Sequence, residues 1–289
     1  MRGKIKKIFK IIGSLFNNEL LEKLSKIETN VQYGFIEKIK SNKKYDNPKC
    51  LIRYGWKAYS QNDEDGIIFE IFNRIGYTNK IFVEFGVGDG LENNTLSLLF
   101  QGWTGLWIEG DDKNYRKIRN GFVKHINDNK LRIEKHFITK ININEIIASN
   151  IKENEIDLLS IDIDGNDIYI FEAIKVISPR LVVIEYNGRF PPPIRYCMKY
   201  NETHFWDGSD NFGSSLNYME DIFKSKGYSL VGCNITGTNA FFVKTDLVKD
   251  LFLEPYSSLV HYEPFRLSLV KNVQSHKPSY KSLENLKIL

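Results

Sequence analysis

The chain has only three cysteines, Cys50, Cys197 and Cys233, an odd number, widely spaced and free of any CxxC or Cys/His arrangement. That excludes a disulfide framework and a structural zinc site, suits a reducing compartment, and makes the cytoplasm the expected location. No apolar run approaches the ~18 residues of a transmembrane helix. Charge of one sign is not concentrated either. Forty Lys and Arg against 36 Asp and Glu leave a net +4 over 289 residues, and only the N-terminal segment leans basic. A nucleic-acid binder gathers positive charge on one face, so no nucleic-acid partner is expected. What is there, 42% hydrophobic and 26% charged residues, is the composition of an ordinary globular protein. The length fits one large α/β domain with an appendage, or at most two small domains.

The N-terminus resembles a targeting segment only superficially. Met1-Arg-Gly-Lys-Ile-Lys-Lys precedes an apolar stretch, but Lys10 interrupts it and no small-residue cleavage site follows, so an export signal is not expected. Ile8, Ile11, Ile12, Leu15 and Phe16 recur at helical spacing opposite lysines. One reading is a helix packed on the domain or on a second copy, making a homo-oligomer through the N-terminal helices. The other is a basic amphipathic helix resting on an anionic membrane. Residues 1–45 read as a helical extension of two helices, the second from about Asn18 to Lys40, and 46–289 as the main domain.

From Lys80 strands and helices alternate. Ile81-Phe-Val-Glu-Phe, Gly105-Leu-Trp-Ile-Glu, Leu131 to Ile138, Ile156-Asp-Leu-Leu-Ser-Ile-Asp and Leu181-Val-Val-Ile-Glu read as five strands. Helices are predicted over Asn94–Gln101, from about Asp111, from about Asn142, and over Ile168–Ile177. The polar Tyr59-Ser-Gln-Asn-Asp-Glu-Asp-Gly run marks a further helix start before Ile67. This rhythm predicts a doubly wound, mainly parallel sheet. Residues 187–213, rich in proline and aromatics, form a long lid-like loop, and loops of that length are usually functional. A helix over Ser215–Lys226 and a hairpin of Tyr228-Ser-Leu-Val-Gly-Cys with Asn239-Ala-Phe-Phe-Val-Lys complete seven strands.

The strongest local signal is Val83-Glu-Phe-Gly-Val-Gly-Asp-Gly. Gly86, Gly88 and Gly90 directly after a strand let the backbone turn tightly and approach a ligand. With Leu91 where GxGxxG needs glycine, the spacing is GxGxG. With Glu84 ahead of it, the run resembles the S-adenosylmethionine (SAM) binding motif rather than a dinucleotide fingerprint. Glu109, 19 residues beyond Gly90 at the end of the second strand, is placed to accept hydrogen bonds from both ribose hydroxyls. The alternative for Glu109 is an exposed strand-end acid.

Asp162, Asp164 and Glu185 fall near the C-terminal ends of neighbouring strands. Here Ser160-Ile-Asp-Ile-Asp-Gly, Val183-Ile-Glu, Lys226-Gly-Tyr, Asn239-Ala-Phe-Phe and the lead-in Ser60-Gln-Asn-Asp-Glu-Asp together resemble the FkbM-type family of SAM-dependent methyltransferases. The resemblance spans about residues 50 to 245, with Asp164 standing where glutamate is common. It implies a class I, Rossmann-like methyltransferase fold with SAM as cofactor. It also implies transfer to a hydroxyl of a sugar or other small polar metabolite in surface-glycan synthesis. Gln61, Glu84, Gly86, Gly88, Gly90, Glu109 and Asp162 are then the expected cofactor-binding residues.

A hydroxyl acceptor needs a base, and the candidates are His204 in the long loop, Asp164 and Glu185. A lone loop histidine is more often a surface residue. Phe190, Tyr196, Phe205 and Trp206 either stack on a sugar ring or form a small core beneath the loop. Asp164 or Asn166 is alternatively a cap for the helix near Asp167. Asp162-Ile-Asp164 also matches the DxD clamp of a glycosyltransferase, a reading that leaves the glycine turn without a job. A divalent ion on Asp162, Asp164 and Glu185, of the magnesium or manganese kind, is a further alternative and not the favoured one. Two other functions stay open: an NAD(P)-dependent oxidoreductase and a non-catalytic SAM-binding assembly module.

Overall fold

A computed structural model describes residues 2–266 with 269 and 280, and side chains from residue 20 onward. Seven strands form one sheet: β1 (Ile81–Phe85), β2 (Thr104–Glu109), β3 (Leu131–Lys135), β4 (Glu155–Ile161), β5 (Ser178–Glu185), β6 (Tyr228–Cys233) and β7 (Asn239–Lys244). Their spatial order is β3-β2-β1-β4-β5-β7-β6. β1 to β5 run parallel, and β7 runs antiparallel to both β5 and β6. The doubly wound sheet and the closing hairpin are those the sequence predicts.

The alternation along each strand explains why both faces are covered. Val83, Phe85, Leu106, Ile108, Val182 and Ile184 point to one face. There they meet α6 (Ile143–Asn150), α7 (Asp167–Ala173) and α8 (Leu216–Ser225). Phe82, Trp107, Leu158, Leu181, Val183 and Phe241 point to the other, against α2 (Glu64–Ile75), α3 (Leu96–Phe100), Ile118 of α4 (Asp112–Gly121) and Ile126 of α5 (Val123–Asn127). Strands buried on both faces cannot alternate apolar with polar, which is why they read as near-continuous apolar runs. β1 lies between β2 and β4, so chain order reverses there, and a crevice opens beyond the C-terminal strand ends.

Several boundaries are corrected. The N-terminal segment is one 39-residue helix, α1 (Arg2–Lys40), rather than two. Gly13 and the Asn17-Asn18 pair cost a helix only up to ~1 kcal/mol each, and without proline nothing ends it. The side chains of Ile8 to Phe16 lie outside the described residues. Ile36 and Ile39 pack against Tyr45, Cys50, Ile52 and Ile235, whereas Leu20, Leu24, Ile27 and Val31 are exposed. β3 stops at Lys135, because β2 ends at Glu109 and offers no partner beyond that pair. β5 begins at Ser178 and includes Pro179, near the strand start where a missing N–H is tolerated. α7 ends at Ala173, its last carbonyls taken by the Lys226 ammonium, which reaches Glu172 O at 2.8 Å. No helix among the described residues is long and apolar enough to cross a membrane.

Candidate active site

A cavity of about 610 Å³ lies beyond the ends of β1, β2, β3 and β4. Seven carboxylate side chains line it and, among the described residues, no lysine or arginine does. Glu92 is paired with Lys57, and Asp112 with Arg116 and Lys135, from outside the lining; the other five carboxylates have no ion-pair partner among the described residues.

The glycine turn forms one wall. Gly86, Gly88 and Gly90 all have positive φ, at +73°, +57° and +81°. A Cβ on Gly86 would collide with the Asp162 carbonyl, so this glycine lets the turn after β1 touch the turn after β4. Gly88 faces open cavity space. Gly90 does not line the cavity: a Cβ there would press into Phe122 and Trp107, at 2.9 and 3.0 Å.

Glu84 is buried beneath the turn. Its carboxylate accepts from the Asn94 N–H (2.9 Å), the Thr95 N–H (3.1 Å), the Thr95 hydroxyl and the Ser160 hydroxyl (3.1 Å). Burial pushes its pKa up to about 7, and those same hydrogen bonds oppose the rise. The Asn93 side-chain oxygen takes the Leu96 N–H at 2.9 Å. The N–H groups of Asn94, Thr95 and Leu96, in the turn that leads into α3, are therefore already taken by side chains. The Asn93 side-chain nitrogen is buried without a partner, on a residue that lines the cavity.

Glu109 stands across from the turn, 8% exposed, with Oε1 accepting the Asp111 N–H at 2.8 Å. Burial raises its pKa, opposed by the N–H groups of Asp111, Gly88 and Gly110. Gln61 lies at the rim, on a segment held by acids that are themselves buried. Asp65 accepts the N–H groups of Ala58, Tyr59 and Ser60 at 2.7–2.8 Å. Glu64 gathers the amides of Asn62, Asn234 and Asn239.

Asp162, Asp164 and Glu185 come together, one carboxylate oxygen from each lying within 4.8 Å of the others. Asp162 and Asp164 line the cavity, and Glu185 sits behind them with Oε2 buried and unpartnered. Burial, then repulsion from neighbouring acids, raises Asp162 and Glu185 well above the usual carboxylate range. Asp164 is exposed and has φ +56°, a left-handed conformation that aspartate tolerates better than most residues. Asn166 occupies the N-cap position of α7, its carbonyl accepting the Ile170 N–H at 3.0 Å, but neither its side chain nor that of Asp164 bonds the helix start. Asp167 turns back to accept the N–H groups of Ile163 (2.9 Å) and Gly165 (2.8 Å), and the Asn166 amide donates to Asn201 O at 2.7 Å.

The 187–213 segment contains no helix or regular strand. It brings His204 into the cavity wall, where Nε2 donates to the Asp164 carbonyl at 3.1 Å. Phe205 and Trp206 are exposed at the mouth, and Phe205 pairs with Phe137 at 5.3 Å. Phe190 instead stacks on Tyr196 at 4.1 Å, and neither lines the cavity. Sequence reasoning missed Asn93, His136, Phe137 and Asn239 as lining residues. Placing the end of the third strand correctly would have found His136 and Phe137.

A model of the FkbM methyltransferase domain matches residues 55–230. No curated protein matches significantly. Solved structures similar to this chain include a candidate caffeoyl-CoA O-methyltransferase from Staphylococcus aureus, with 14% identity, TM-score 0.44, and 79% of this chain and 99% of that one covered. The METTL16 methyltransferase domain shows 11% identity and TM-score 0.39 over 62% of this chain and 66% of that one. The bifunctional kinase-methyltransferase WbdD shows 16% identity and TM-score 0.38 over 62% and 38%. The chain thus spans just under two thirds of the METTL16 domain and well under half of WbdD. With the domain match covering more than half of its length, the chain belongs to the FkbM-domain methyltransferase family.

Proposed function

We propose that this chain is a SAM-dependent O-methyltransferase acting on a small, polar, sugar-like acceptor. The observation that carries the reading is the sign of the cavity: five lining carboxylates without an ion-pair partner, two more paired to bases outside the lining, and no lysine or arginine among the described lining residues. A sulfonium with an α-ammonium is attracted there, whereas the pyrophosphate of a dinucleotide is repelled and meets the Asn94 and Thr95 N–H groups already bonded to Glu84.

The residues present fit SAM. Glu109 keeps lone pairs for a ribose diol, Gly88 leaves room for close backbone approach, and the free Asn93 side-chain N–H suits a carboxylate or ring acceptor. SAM supplies a methyl group already activated on sulfur. What the chain must add is orientation, worth up to ~7–11 kcal/mol in ideal cases, and removal of a hydroxyl proton. His204 is suited to the second task. With Nε2–H committed to the Asp164 carbonyl, Nδ1 is left as the acceptor nitrogen. Phe205 and Trp206 offer flat apolar faces to a sugar ring at the mouth, with Asn166 and Asn114 as polar neighbours. The place in surface-glycan synthesis rests on family resemblance alone.

Thermal melts with SAM, S-adenosylhomocysteine and NAD test the reading. Both sulfur ligands are expected to raise the Tm and NAD to leave it unchanged. Stabilisation by NAD with no response to either sulfur ligand would overturn it. Radiolabelled-methyl transfer into a fractionated extract then identifies the acceptor.

A further inference from the structure

We propose that Asp162, Asp164 and Glu185, with the side-chain oxygen of Asn239, bind one divalent cation of the magnesium or manganese class. This goes beyond methyl transfer and does not depend on it. Three carboxylates with oxygens within 4.8 Å of one another repel, and among the described residues no ion pair reaches any of them. Ligands on one ion at about 2.0–2.6 Å are at most about 4–5 Å apart, so this spacing is that of a shared coordination sphere.

Asn239 supplies the independent observation. It is 3% exposed and lines the cavity, and its amide nitrogen is committed to Glu64 Oε1 at 2.8 Å while its amide oxygen has no partner. The β5–β7 register sets Asn239 directly opposite Glu185. Opposed residues of an antiparallel pair project to the same face with Cβ atoms about 5 Å apart. The register therefore puts two residues with orphaned oxygens, Asn239 (Oδ1) and Glu185 (Oε2), side by side on one face of the sheet. A carbonyl oxygen does not relieve the repulsion among acids, but it completes an all-oxygen donor set. With no thiolate or imidazole in that set, the chemistry selects hard cations over zinc or copper.

The test is Mn²⁺ titration of the EDTA-treated full chain, read by loss of the free-ion electron paramagnetic resonance signal, with Mg²⁺ as competitor. One bound Mn²⁺ per chain is expected. Asp164 is exposed, so Asp164→Asn leaves the fold intact and should weaken binding at least ~10-fold. Glu185→Gln should abolish the Tm rise on adding Mg²⁺, whereas a purely structural glutamate would leave that rise unchanged. Absence of Mn²⁺ binding at millimolar concentration, or binding unchanged in both variants, overturns the site. SAM titration in EDTA runs alongside. SAM binding without Mn²⁺ binding sinks this site and spares the methyltransferase reading, and Mn²⁺ binding without SAM binding does the reverse.

Discussion

The His204 ring rests on Gly165, so that a Cβ at Gly165 would overlap the ring and stand 2.6 Å from Nε2. Gly165 has ordinary backbone angles, so its lack of a side chain serves packing rather than conformation. Gly165→Ala is expected to push His204 off the Asp164 carbonyl and out of the cavity wall. Turnover should fall as far as in His204→Ala, by the ~10²–10⁴-fold that a general base contributes, with SAM affinity kept. The Tm should move little, since the ring lies on a loop and can swing away. Normal turnover in either variant, measured with the identified acceptor, would remove His204 as the base.

Glu109→Ala should weaken SAM binding by about 2–4 kcal/mol, through loss of charge-assisted hydrogen bonds in a water-poor crevice. Isothermal titration reads this directly. Unchanged affinity would leave Glu109 a purely structural part, holding backbone N–H groups such as that of Asp111.

Gly86 and Gly88 separate folding from binding. Gly86→Ala combines φ +73° with a collision against the Asp162 carbonyl, which belongs to rigid backbone, so a loss of several kcal/mol in urea denaturation is expected. Gly88→Ala meets nothing within 4 Å, so only the ~1–2 kcal/mol conformational cost applies to folding. Its methyl group projects where the ligand would lie, so SAM affinity should drop by more than stability does. Equal stability losses in both variants would contradict this division.

The sheet was legible because its central parallel strands, buried on both faces, had to be written as near-continuous apolar runs, as in Ile81–Phe85 and Leu181–Glu185. The glycine turn was legible because only glycine takes those φ values cheaply. What separates Gly86 and Gly88 from Gly90 was not, since all three share a positive φ and differ only in what stands beside them. Glu84 is another such case. Its sequence position marks it as a ligand reader, yet its four hydrogen bonds tie down Asn94, Thr95 and Ser160. Asn239 was visible only as part of a strand. Its approach to Glu185 arises from a pairing between β5 and β7, more than fifty residues apart, that no local pattern encodes.

His261 gives a pH dependence independent of the active site. It is 7% exposed, its Nε2–H donates to the Leu253 carbonyl at 3.0 Å, and Lys44 is a nearby charge. Burial pulls its pKa from 6.5 down to about 4, only partly opposed by the Leu253 bond. The folded state therefore holds a neutral ring while the unfolded chain takes up a proton below pH 6.5. The associated stability is complete above that pH and is lost as pH falls toward about 4, a total of about 3 kcal/mol. Urea denaturation between pH 7 and pH 4.5 should show the wild type losing about 2–3 kcal/mol more than His261→Gln, which keeps an amide donor but cannot be protonated. Parallel pH profiles for the two proteins would mean that the buried ring does not titrate in this window.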